Sequence, residues 1–376
     1  MKKIQMVDLK GQYEFIQDEV QASFQEVLST TSFINGPAVK AFQKDLEFYL
    51  GVKHVIPCAN GTDALQIALM GLKLHPGDEV ITADFTFAAT VEVISLLQLK
   101  PVLVDVDPKT FNIDPLAIEA AITVKTKAII PVHLFGQAAN MDAISAVAKK
   151  YNLFVIEDNA QGIGATYTYK DGKNLKTGAL GHVGATSFFP SKNLGAYGDG
   201  GAIFTNDDDL AHFIRGIVNH GMYERYYHDV VGVNSRLDSL QAAVLKVKLK
   251  YLDFYNERRK EAAFRYSTLL SNHPNIVTPF TAGGCKSHVF HQYTLRIIGA
   301  NRDGLVQFLN SHEIPCGVYY PVPLHNQKAY TDPKVNHSDF PVTNQLVKEV
   351  LSLPMHSELT KDQVEFIAEK IISFLA

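Results

Sequence analysis

At 376 residues, with 46% hydrophobic and 20% charged side chains, the chain has the composition of a globular protein long enough for two domains. A formal net charge of −4 gives no electrostatic basis for binding nucleic acid or an anionic membrane, and no apolar run is long enough to span a bilayer. Lys2 and Lys3 are followed by no apolar stretch, so no signal peptide is expected. Cys58, Cys285 and Cys316 lie far apart without metal-ligand spacing, as expected of reduced thiols in a cytoplasmic protein.

Residues 13–29 set Ile16, Val20, Phe24, Val27 and Leu28 in a helical rhythm. After a break at 31–37, a second amphipathic helix is expected over 38–50, closed by Gly51. From residue 54 the pattern alternates. Strands are predicted at 54–58, 80–82, 102–104, 128–132 and 153–156, and helices at 64–72, 87–97, 116–122 and 141–151. Short strands that are apolar on both faces and separated by helices predict an α/β fold, a mostly parallel central sheet with helices on both faces. Ligands of such sheets bind beyond the carboxyl ends of the strands. Chemistry is therefore expected at 60–63, 84–87, 133–136 and 157–161.

The alternation weakens after 165. A hairpin or loop is expected at 166–176, strands at 184–189 and 201–205, and a helix at 207–218. A single long helical run is expected at 237–270, with Leu240, Ala243, Val244, Val247, Tyr251 and Phe254 on one face. Strands at 292–298 and 318–320 and helices at 303–312, 343–351 and 360–374 complete a smaller α+β domain. The expected division is 1–245 and 246–376.

The most chemical stretch is 187–201, Ser-Phe-Phe-Pro-Ser-Lys-Asn-Leu-Gly-Ala-Tyr-Gly-Asp-Gly-Gly. Lys192 sits there between two phenylalanines and a group of glycines. A desolvated lysine favours the neutral, nucleophilic amine, which can hold an aldehyde as a Schiff base; a solvated loop lysine is the alternative. Gly61-Thr62 opens a helix and suits a phosphate, or simply caps it. Asp158 ends a buried strand and needs a cationic or hydrogen-bonding partner, such as a protonated pyridine nitrogen, or caps the next helix. Gln161 can reach the same cleft. Phe87 can stack on a flat ring or pack in the core. His133 ends a strand and is expected on the cavity wall without a role. Walker, G-x-G-x-x-G and G-x-S-x-G motifs and zinc spacing are absent. These absences count against nucleotide triphosphatases, nicotinamide oxidoreductases, hydrolases and metal sites.

Four stretches, Ala-Asn-Gly-Thr-Asp-Ala at 59–64, Glu-Asp-Asn-Ala-Gln at 157–161, Ser-Phe-Phe-Pro-Ser-Lys at 187–192 and Gly-Asp-Gly-Gly-Ala at 198–202, resemble the signatures of the DegT/DnrJ/EryC1/StrS family. These are nucleotide-sugar aminotransferases that depend on pyridoxal 5′-phosphate, and the likeness runs over nearly the whole chain. It implies the fold type I architecture of such aminotransferases. Lys192 would hold the cofactor and move protons, Asp158 would pair with its pyridine nitrogen, Gln161 would lie by its hydroxyl, and Phe87 would cover one ring face. Gly61, Thr62 and Ser187 would hold the phosphate.

The family is dimeric, so Asn234 would reach the phosphate in the partner's site and Arg236 the substrate there. Phe33, Ser191, Tyr319, Tyr320 and His325 would face the sugar. The implied donor is L-glutamate. The implied acceptor is a 3-keto-sugar, either UDP-2-acetamido-3-keto-glucuronate or a dTDP-3-keto-6-deoxyhexose, for surface polysaccharide or amino-sugar biosynthesis. A 4-keto-sugar acceptor, a dehydratase and a non-catalytic, cofactor-binding regulator are the alternatives. Lys192 counts against the dehydratases, which carry histidine at that position.

Overall fold

The computed structural model describes residues 3–282 and 288–376; Cys285 lies outside them. Helix α1 (Leu9–Thr30) starts at Asp8, whose side chain accepts from the Gly11 N–H, and buries Ile16, Val20 and Val27. Helix α2 (Pro37–Leu50) has proline in its first turn and ends at Gly51 in the left-handed region. It buries Val39, Phe42, Leu46 and Leu50.

A seven-stranded sheet follows. Its strands are β1 (His54–Cys58), β2 (Glu79–Ala83), β3 (Lys100–Val104), β4 (Thr126–Ile130), β5 (Phe154–Asp158), β8 (Val183–Ser187) and β9 (Gly201–Thr205), in the order β1-β9-β8-β5-β4-β2-β3. Strands β6 (Thr166–Thr168) and β7 (Asn174–Lys176) form a separate antiparallel hairpin. Within the large sheet only β9 runs against its neighbours. The expected α/β architecture is therefore present. Helices α3 (Gly61–Gly71), α4 (Ala89–Leu96), α5 (Pro115–Ala121), α6 (Met141–Tyr151) and α7 (Asp208–Ile217) cover the two faces. One core holds Ile81, Ile129, Ile144 and Val155; the other holds Ile56, Leu65, Ile156 and Ile203.

Two expected elements differ. The helical run at 237–270 is two helices, α8 (Ser239–Leu249) and α9 (Leu252–Leu270), broken at Tyr251. The single apolar face read from the sequence runs through that break. Helix α8 is buried nearly all round, whereas α9 turns Tyr255, Ala262, Ala263 and Tyr266 inward. Glu19 of α1 secures the break, pairing with Lys250 Nζ at 2.7 Å and accepting from the Tyr251 hydroxyl. The expected strand at 318–320 is absent. Only Gly317 pairs, with Ser352 of the strand Val350–Leu353, and the chain then leaves the sheet.

A third core joins Ala262, Tyr266, Tyr293, Leu295, Leu351 and Ile367, and takes in Ile4 from the amino end. It surrounds the antiparallel strands Ile276–Val277, Tyr293–Ile297 and Val350–Leu353. We propose this core as the smaller domain; the division expected at residue 245 falls within α8. Among the described residues no helix is long and apolar enough to cross a membrane.

Candidate active site

A cavity of about 730 Å³ opens beyond the carboxyl ends of the strands, where the sheet, the 187–201 loop and the smaller domain meet. One end is the start of α3. The Asn60 side chain accepts from the Asp63 N–H at 2.8 Å, and Gly61 and Thr62 face the cavity with the positive end of the helix dipole. Glycine is required at 61, because a Cβ there would stand 2.5 Å from Ser187 Cβ. This close approach brings Ser187, at the end of β8, into the same cradle.

Asp158 ends β5, beside Ala185 of β8. Its Oδ2 accepts from Thr90 Oγ1 at 2.8 Å and its Oδ1 from the Ala160 N–H at 3.1 Å. Both bonds hold the carboxylate in one orientation. Glu157, fully buried on the opposite face of β5, anchors the strand end. It accepts from the N–H groups of Gly178, Leu180 and Gly181 at 2.6–2.7 Å. It also accepts from His133 Nε2 at 2.7 Å. His133 Nδ1 accepts from the Ala139 N–H, which leaves Nε2 to carry the proton. His133 is thus an internal brace rather than the cavity wall expected of it.

Lys192 follows β8 in a loop that folds on itself. Phe188 N–H donates to Gly200 O at 2.7 Å, Ala196 N–H to Phe188 O at 2.8 Å, and Lys192 N–H to Phe189 O at 2.8 Å. Phe188 is fully buried, edge-on to Phe42. From α8, Lys248 Nζ donates to Gly195 O at 2.7 Å. Burial of the Lys192 amine pushes it down from 10.5 to about 8, opposed by the Asp158 charge. At pH 7 about a tenth of it is then the neutral nucleophile, where an ordinary lysine has well under a hundredth.

The remaining walls suit a flat phosphorylated ring. Phe87 presents its ring to the opening and is 58% exposed. Thr86 Oγ1 faces this region buried and without a hydrogen-bond partner, a polar atom awaiting a ligand. Gln161 accepts from the Phe135 N–H at 2.7 Å and donates to the Tyr320 hydroxyl at 3.1 Å. Ser191, Tyr319 and Tyr320 line the other side.

Phe33, Asn234, Arg236 and His325 are not on the wall. Phe33 and Asn234 are exposed, and Arg236 donates to Asn219 Oδ1 at 3.4 Å. Ser235, between the last two, ties their segment to α3: its hydroxyl accepts from the Ala59 N–H and donates to Asp63 Oδ2 at 2.6 Å. His325 is buried against Asp84.

Sequence reading missed His291 and Thr90. His291 lines the cavity, its Nδ1 lies 3.3 Å from Asn193 Oδ1, and burial with the nearby Lys192 and Arg259 charges holds its basicity well below the usual range. Asn193 Nδ2 donates to Asn256 Oδ1 and Val289 O, which turns its oxygen toward the imidazole. The signal available was three polar rings and amides at His288, His291 and Gln292 just before a strand.

The profile of the DegT/DnrJ/EryC1/StrS aminotransferase family matches residues 14–372. The chain belongs to this family. It is 49% identical to a protein from Geobacillus stearothermophilus named a pleiotropic regulatory protein, over 99% of this chain and 98% of that one. It is 48% identical to the UDP-2-acetamido-2-deoxy-3-oxo-D-glucuronate aminotransferase of Pseudomonas aeruginosa, over 97% and 98%. The crystal structure of DesV from S. venezuelae, solved in complex with a ketimine intermediate, superposes with a TM-score of 0.95 at 37% identity, over 100% of this chain and 99% of that one. The protein is a sugar aminotransferase of fold type I, and its cofactor is pyridoxal 5′-phosphate. The cradle, the ring wall, the carboxylate and the lysine fit that group.

Proposed function

We propose that this chain transfers an amino group from L-glutamate to a nucleotide-linked 3-keto-sugar, as a cytoplasmic homodimer. The observation that carries the reading is the gathering of Lys192, Asp158, Phe87, Ser187 and Gly61-Thr62 around one cavity. When bound, pyridoxal phosphate supplies an electron sink for charge developing at the carbon that bears the transferred amine. Gly61, Thr62 and Ser187 would hold its phosphate with backbone and hydroxyl donors at a helix start. Asp158, oriented by Thr90 and Ala160, would pair with a protonated ring nitrogen. Lys192 would hold the group through its aldehyde, and its free Nζ would move the proton between the amine-bearing substrate carbon and the cofactor. Gln161 and Phe87, on the cavity wall, would hold the ring.

The acceptor rests on likeness to the Pseudomonas relative, whose name specifies a 3-oxo sugar on UDP. Arg236 suits a sugar carboxylate, since its planar fork binds carboxylates in two-point fashion. Together with Asn234 it lies outside its own cavity, as a residue serving a partner's site must. The name of the Geobacillus relative favours a second reading, a cofactor-binding regulator. The retention of Lys192, Asp158, Phe87 and the phosphate cradle around one cavity speaks for the enzyme.

The test is incubation with glutamate and a panel of UDP- and dTDP-linked 3- and 4-keto-sugars, with products identified by mass and fragmentation. A 3-amino sugar is expected. A 4-amino product would move the site of amination, and no product from a cofactor-loaded protein would turn the assignment to the regulator.

A further inference from the structure

The wall Val318, Tyr319, Tyr320 and Pro321 follows Gly317 out of the smaller sheet, with Val318, Tyr319 and Tyr320 packed against the core of the large one, and it is tied down at three points. At one end Gly317 exchanges two hydrogen bonds with Ser352, at 3.0 and 2.7 Å. In the middle the Tyr320 hydroxyl accepts from Gln161 at 3.1 Å. At the far end the tie is His325. Its Nδ1 lies 2.7 Å from Asp84 Oδ2, and its backbone N–H donates to Asp84 Oδ1 at 2.8 Å. The Leu324 N–H donates to the Asp84 carbonyl at 3.2 Å. His325 Nε2 is 3.0 Å from His337 Nδ1, and Phe340 stacks on the ring at 4.5 Å with the planes 11° apart. Both ring nitrogens and one ring face are therefore engaged, the residue is 6% exposed, and it does not line the cavity.

Asp84 is fully buried and leads directly into Thr86 and Phe87, which form the opposing wall. One carboxylate thus joins the two sides of the opening. A buried carboxylate and imidazole in two-point contact lock geometry well, because each loses heavily if the other is removed.

We propose that His325 is a positioning residue for the acceptor: through Asp84 it fixes the wall at 318–321 against Thr86 and Phe87, and it does not itself touch the sugar. The role rests on the reading of the chain as a nucleotide-sugar aminotransferase. The tie touches neither Lys192, Asp158 nor the phosphate cradle, and Tyr320 keeps its own bond to Gln161, so its loss acts mainly on the 318–321 wall. Asparagine at 325 can place an amide N–H near the Nδ1 position and keep the Asp84 bond; leucine fills the space and donates nothing.

The experiment compares the holoenzyme with His325→Leu and His325→Asn. The leucine variant is expected to raise KM for the keto-sugar about tenfold or more, because small displacements of a positioning wall are costly. The glutamate half-reaction, followed by the cofactor's visible absorption, should stay within about twofold, and asparagine should restore most of the sugar KM. A sugar KM unchanged in the leucine variant would overturn the proposal. So would asparagine as impaired as leucine, or a glutamate half-reaction that falls as far as the sugar step. If the wild-type protein aminates no nucleotide sugar, the functional reading fails, and hydrogen–deuterium exchange decides the tie alone. Faster exchange over 317–325 in the leucine variant, and not in the asparagine variant, supports it; equal exchange in all three proteins refutes it.

Discussion

The two sides of the cavity are built differently. The cofactor side is made of strand ends and a helix start: Gly61 and Thr62 after β1, Asp158 at the end of β5, Ser187 at the end of β8, and Lys192 in a loop closed by its own backbone bonds. The other side, proposed for the sugar, is made of a segment with little regular structure, 318–321. A parallel sheet covered on both faces holds its strand ends rigidly, so the first side is set by one domain. The second depends on ties between distant parts of the chain, such as Asp84 to His325 and Asp105 to the N–H groups of Val342 and Thr343, and on a proposed partner. We propose that reaction type resides on the rigid side and substrate choice on the adaptable one.

Changes on the rigid side should stop the reaction whatever the sugar. Lys192→Ala should reduce amino transfer by about 10³-fold or more, measured as product formed from glutamate and keto-sugar. Turnover retained in that variant would remove the lysine from its role. Asp158→Asn keeps the shape but loses the charge opposite the ring nitrogen, and should cost about 10²-fold in kcat, with the sugar KM little changed.

Changes on the adaptable side should show a dependence on the partner. Mixed with the Lys192→Ala variant, an otherwise inactive Asn234→Ala/Arg236→Ala protein should recover about a quarter of wild-type activity, because half the dimers are mixed and each mixed dimer has one intact site. No recovery would place Asn234 and Arg236 in their own protomer's site.

The smallest effect is in pH. With its amine at about 8 instead of 10.5, Lys192 becomes neutral at a lower pH than an ordinary lysine. Uptake of pyridoxal phosphate by the cofactor-free protein should speed up as pH rises and level off just above 8, by stopped-flow absorbance. A rate still climbing steeply toward 10 would mean that the amine is not desolvated.

How far the chain could be read follows the same division. Strand–helix alternation exposed the sheet, because each short strand is apolar on both faces, and the sites at 60–63 and 157–161 followed from the rule of strand ends. Lys192, Asp158 and Gly61 lie in contiguous motifs, so neighbouring residues identify them. His325 was different: its motif put it in the substrate segment, but its burial against Asp84, 241 residues away, is a tertiary fact with no local trace. The same holds for Thr90 on Asp158 and for His133, whose partner Glu157 faces away from the cavity. The helix break at Tyr251 escaped because the apolar rhythm continues through it, while its cause, Glu19, lies on α1.

Lys248 offers the sharpest control for the central assignment. It is fully buried where Lys192 is half-buried, and burial and Arg259 push it down to about 7, but its Nζ is spent on Gly195 O and it does not line the cavity. A low pKa alone would favour Lys248; geometry favours Lys192. The direct measurement is to load the protein with pyridoxal phosphate, reduce it with borohydride, digest it, and locate the added mass by peptide fragmentation. The cofactor's mass is expected on Lys192 alone, and its appearance on Lys248, or on no lysine, would contradict the account.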